Sequence, residues 1–152
     1  MPRPTLPSRL DIARSLKLKV ALYVQSSAKE GRGASPVEGL DAYANELADR
    51  RQMGALRAIA GEIDTWLREL SSPPSALLLV ARMRRAGVLE QHLPVLPSAR
   101  RLRAVALRGN IKSRADAQLV QSTLMNPDLA HLLGPNAQVL GAALDRWQTK
   151  LN

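Results

Sequence analysis

The breaks in this chain constrain its fold more than any other feature. From residue 71 onward, Ser71-Ser72-Pro73-Pro74, Gly87, Pro94 and Pro97, Gly109-Asn110, Asn126-Pro127 and Gly134-Pro135 cut it into pieces no longer than one helix. Proline lacks the amide hydrogen that a helix interior or a central strand requires, and glycine suits the left-handed turn that follows a helix. Apolar residues recur at spacings of three and four. Leu40, Ala44 and Leu47 make one stripe, and Leu56, Ile59, Ile63, Trp66 and Leu70 make another. Near the C-terminus Val139, Leu140, Ala143, Leu144, Trp147 and Leu151 make a third. That spacing is the helical period.

What fills the core points the same way. Two Trp, two Tyr and no Phe leave Leu, Ile, Val and Ala to do the packing, which suits helix against helix. With 152 residues the chain has the length of one domain and can bury a core without staples. It has no cysteine, which removes disulfides, thiolate metal sites and cysteine nucleophiles together. The expected fold is all-α: a compact bundle of about five to seven helices forming a single domain over 1–152. A Pro-rich N-terminal arm at 1–8 and a Gly-rich linker at 30–35 complete it.

Helix starts are legible at Ser8 with Asp11, at Ser35-Pro36-Val37-Glu38, at Ser98 and at Ser113 with Asp116. Residues 36–70 form one long helix or two, with a break near Gly54. Gly87 closes the helix that begins at the Pro73-Pro74 pair. One segment is ambiguous. In LKLKVALYV, residues 16–24, apolar and other side chains alternate as in a strand. No second strand pairs with it, and Leu10, Ala13, Leu16, Val20 and Val24 also make a passable helical stripe, so helix is the preferred reading.

Charge is distributed unevenly. The net of +9 divides into +5 over residues 1–35, −3 over 36–72, +8 over 73–115 and −1 over 116–152. Arginine outnumbers lysine 17 to 5, and a bias of that kind would raise arginine everywhere without emptying residues 73–115 of acid. Within that block Arg100, Arg101, Arg103 and Arg108 spread over the half of a helix opposite Ala99, Leu102, Val105 and Ala106. Like charges on one face repel, so an outside anion or an acidic face is expected to relieve them. The acidic stretch 36–70 is one candidate for that relief, which would make the arginines structural.

The leading expectation is a non-catalytic protein that binds the phosphate backbone of DNA or RNA, as an accessory subunit of a larger complex. Its contacts would be Arg82, Arg84, Arg85, Arg100, Arg101, Arg103, Arg108, Lys112 and Arg114. Backbone contact is favoured over base reading because no aromatic lies between Trp66 and Trp147 to stack a base. The alternative is an adaptor or regulator that docks an acidic protein. Arg84 and Arg85 also complement a helix C-terminus, so they have a structural reason as well.

No enzymatic motif, cofactor or metal site is expected. The Lys29–Ser35 turn lacks P-loop spacing and reads as a linker. His92 and His131 are the only histidines, and Asp128-x-x-His131 alone is a weak metal signal. The acidic residues on 36–70 read as a solvated helix face. No apolar run approaches the ~20 residues of a membrane span, and the proline-bearing N-terminus lacks a signal-peptide core. A cytoplasmic protein is the expectation.

Overall fold

The computed structural model describes residues 6–29, 39–70 and 72–151. Eight α-helices and one 3-10 turn account for the described secondary structure. They are α1 (Arg9–Lys29), α2 (Leu40–Asp49), α3 (Met53–Leu70), α4 (Pro73–Ala86), the 3-10 turn (Glu90–His92), α5 (Pro97–Arg108), α6 (Arg114–Leu124), α7 (Pro127–Leu133) and α8 (Pro135–Leu151). The fold is all-α, with one helix more than the upper end of the expected range. The 36–70 stretch, expected as one helix or two, is two, and the short α7 starts at Asn126, whose side chain accepts from the amides of Asp128 and Leu129. Residues 1–5 of the arm, the 30–35 linker and the Ser35–Glu38 capping box lie outside the described residues.

Residues 16–24 are helical, in the middle of α1. Ser8 and Asp11 start that helix as the sequence suggests: the Ser8 amide donates to the Asp11 carboxylate, and the Asp11 amide donates to the Ser8 hydroxyl. These bonds and Arg14 hold the Asp11 carboxyl below the ordinary aspartate range. The break between α2 and α3 falls at Arg50–Gln52, before Gly54, which sits in the first turn of α3. Ser98 does not cap α5. Leu96 holds the cap position with an extended backbone, Pro97 takes the first helical position, and no side chain caps the helix.

Two helix ends share one geometry and differ in residue. At the end of α4 the Val88 amide bonds back to the Met83 carbonyl and the Gly87 amide to Arg84, with Gly87 at φ 108°. At the end of α2 the Gln52 amide bonds to Leu47 and the Arg51 amide to Ala48, with Arg51 at φ 58°. Both are Schellman turns, whose left-handed position is normally glycine. Arg51 is the one non-glycine residue with positive φ among those described.

The chain divides into two compact units: Met1–Trp66 with Arg82–Pro94, and Leu67–Ala81 with Val95–Asn152. In the first, α1 packs along α2, and the 3-10 turn packs on α1. Leu16, Val20, Ala44, Leu47, Leu56, Ile63 and Met83 are buried there, and Tyr23 and Trp66 meet with ring centroids 5.6 Å apart. In the second, α6 packs on α5, α7 and α8, and α5 also packs on α8. Its core gathers Leu102, Val105, Ile111, Leu119, Val120, Leu140 and Ala143, with Trp147 packed against them. Val139 and Leu151, assigned to the apolar face of the last helix, are exposed instead.

Candidate nucleic-acid interface

The nine cations expected to form the site fall on both units. Arg82, Arg84 and Arg85 belong to the first. Arg82 is half-buried and Arg85 exposed, while Arg84 Nε donates to Glu90 at 2.9 Å. Arg84 is thus held by a carboxylate six residues along the chain.

The other six lie in the second unit, on α5, at the start of α6 and on the loop between them. Leu102 and Val105 point α5 into the core, and the helix turns about 100° per residue. That places Arg103, Leu107 and Arg100 furthest from the core, with Arg101 and Arg108 toward α6. Arg101 reaches Asp116 with both Nε, at 3.0 Å, and Nη2, at 2.8 Å. Arg108 Nη2 lies 3.8 Å from the other oxygen of the same carboxylate. Asp116 therefore supplies the acidic relief that the helix itself lacks. Of the acidic stretch 36–70, Glu46 pairs with Arg50 and Asp64 pairs with Lys19.

Asp116 occupies this position because of its own helix start. The Asp116 amide donates to the Ser113 hydroxyl, as the spacing of the two residues suggests. Its carboxylate turns to the arginines rather than back to the Ser113 amide. The Ser113-x-x-Asp116 spacing signals a helix start and carries no hint of the arginine contact. Arg146 of α8 closes the other end of α5 by donating to the Gly109 carbonyl.

Arg100, Arg103, Lys112 and Arg114 are exposed and make no ion pair among the described residues. Leu107, between Arg103 and Arg100 on the helix surface, is 82% exposed. Six cations and one carboxylate lie between Pro97 and Asp116.

Elsewhere, His92 is satisfied by the fold. Ser15 Oγ accepts from the Leu89 amide at 2.8 Å and lies 2.7 Å from His92 Nδ1. With one proton received there, the hydroxyl donates its own to Nδ1, which places the imidazole proton on Nε2. Burial, with Lys19 and Arg57 nearby, lowers the His92 pKa. Ser15 is 2% exposed, so this pair is packing rather than a nucleophile and base facing solvent. His131 is exposed, and among the described residues no three His, Asp or Glu side chains gather as a metal site. No helix among the described residues is long and apolar enough to cross a membrane.

No protein family, curated protein or solved structure matches this chain.

Proposed function

We propose that the outer face of α5, with Lys112 and Arg114, binds the phosphate backbone of a nucleic acid without catalysing a reaction, as a subunit of a larger assembly. The observation that carries this reading is the division within the arginines. Asp116 pairs with Arg101 and Arg108, while Arg100, Arg103, Lys112 and Arg114 are exposed without an ion pair among the described residues. Arginine meets phosphate with paired N–H donors, and an exposed cation gives up little when it does so. No aromatic stands on this face for bases to stack on, so the contact follows charge and shape rather than sequence.

The test is binding of a labelled 20-mer duplex and a single-stranded RNA, followed by anisotropy across salt concentrations. R100E/R103E should keep the fold. It should weaken binding more than tenfold at low salt and flatten the salt slope by about two, since each lost phosphate contact removes about 0.9. Unchanged binding by that variant would sink the reading. Arg101 and Arg108 are poorer targets, because reversing them would set three carboxylates together.

A second reading has an observation of its own. Leu107 stands exposed between two unpaired arginines, and an apolar side chain ringed by cations fits an acidic protein surface better than a phosphate backbone. Leu107→Ser should leave nucleic-acid affinity within twofold. If it removes binding to an acidic partner instead, the adaptor reading wins.

A further inference from the structure

The first unit holds a cavity of about 650 Å³ where the start of α1, the end of α2 and the start of α3 converge. Among the described residues its charged lining is Arg9, Arg51 and Arg57, with no acidic side chain. Leu10, Ala13, Ala48 and Met53 supply the remainder. None of the three arginines has an ion pair among the described residues. The nearby Asp11 carboxylate is occupied at its own helix start by the Ser8 amide.

Three like charges around one concavity repel each other, and all three are solvent-exposed, so an anion can reach them. The backbone adds a second, independent sign. Arg51 occupies the left-handed position of a Schellman turn, where the equivalent turn after α4 has glycine. A side chain there carries steric strain, and strain of this kind collects at functional positions. Complementing the α2 dipole does not require it, since Arg50 offers a cation one residue earlier at an ordinary φ of −84°.

From this we infer that the cavity binds a small phosphomonoester with an aliphatic body. The dianionic head would sit among Arg9, Arg51 and Arg57, and the body would lie on Leu10, Ala13, Ala48 and Met53. The volume is that of a small-molecule site. A phosphodiester chain would leave the apolar floor unused, and a nucleobase would find no aromatic to stack on. The inference draws on first-unit residues alone and does not rest on the α5 reading.

Calorimetry on the full chain tests this with hexyl phosphate, inorganic phosphate and hexanol. Hexyl phosphate should bind saturably at one site per chain, at least tenfold tighter than inorganic phosphate, and hexanol should not bind at the same concentrations. Arg51→Gly is the informative variant. It relieves the strained backbone, so Tm should hold or rise while hexyl phosphate affinity falls at least tenfold. Arg57→Gln should lose affinity with Tm unchanged, and R100E/R103E should bind hexyl phosphate as the wild type does. Equal affinity for inorganic and hexyl phosphate would overturn the inference. So would full binding by Arg51→Gly, or a marked loss of its Tm, which would make Arg51 a structural residue.

Discussion

The two units bury different things. In the first, Ser15, Lys19 and Ser27 lie on the inner face of α1, and Lys19 meets Asp64 at 2.6 Å with its own side chain 3% exposed. In the second, the one buried polar side chain among the described residues is Thr123, which returns its hydroxyl to the Leu119 carbonyl of its own helix. Its cations stay at the surface. A buried charge must be matched by the fold, and a surface charge need not be. The first unit has therefore committed its inner lysine, while the second keeps Arg100, Arg103, Lys112 and Arg114 exposed without an ion pair among the described residues.

The contrast can be broken first by deletion. Leu140→Ala in the second unit should cost about 3–4 kcal/mol, since Leu140 is 1% exposed and its loss leaves a cavity. In the first unit Asp64→Ala should cost nearly as much, about 3 kcal/mol, because it leaves the Lys19 ammonium buried and alone. The pair K19M/D64L should recover most of that loss. Urea denaturation reads all three variants. A cost below about 0.5 kcal/mol for Asp64→Ala would show that the ammonium reaches water, and would erase the distinction between the units.

Ser15→Ala should cost about 1–2 kcal/mol by leaving the Leu89 amide and His92 Nδ1 without their partner. This same cluster makes the first unit sensitive to acid. His92 in the folded state titrates below its ordinary value of 6.5, so between the two values the unfolded chain binds more protons. The His92 contribution is complete above pH 6.5 and is lost progressively as the pH falls through the folded value. Thermal melts of His92→Gln should lack that component. A wild-type Tm that rose on acidification across this range would contradict the assignment of the hydroxyl proton to Nδ1.

The smallest effect belongs to Asp116. Asp116→Asn keeps the amide bond to Ser113 and removes the charge that holds Arg101 and Arg108. Stability should change by less than about 1 kcal/mol, because both arginines are solvent-exposed. Nucleic-acid affinity at low salt should rise several-fold as two more cations become available. A fall in affinity would mean that Asp116 positions the arginines for their ligand rather than competing with it.

These differences also explain how much could be read in advance. The all-α class, the α4 end at Gly87 and the Ser113 start of α6 followed from local chemistry alone. Residues 16–24 were ambiguous for a physical reason. Lys19 and Ser15 occupy the inner face of α1, so counting them as outward polar residues spoils the helical stripe and imitates a strand. The ion pair that permits a lysine there comes from Asp64, 45 residues away, and no local pattern reports it. The candidate site was legible in outline only. Charge density singled out α5 and its flanks, but whether a given arginine is spent depends on which neighbour turns toward it. Asp116 had a complete local explanation as a cap partner, which hid its second role. Arg51 is invisible to periodicity altogether, because Gly54 three residues on is the residue type that normally makes such breaks.

Ser15 and His92 are 77 residues apart, and the first unit is discontinuous: Leu67–Ala81 belongs to the second. The first unit therefore cannot be made as one continuous run of chain. A nascent chain that has reached Trp66 holds α1, α2 and most of α3, but not Met83, Val88 or Leu93, which are buried in the finished unit. Until Pro94 has been made, the hydroxyl of Ser15 and the apolar face beside it lack their partners. By then the ribosome has already delivered fifteen residues of the second unit. The N-terminal unit is therefore still complete before the second, but only after its synthesis has been interrupted by a piece of its neighbour.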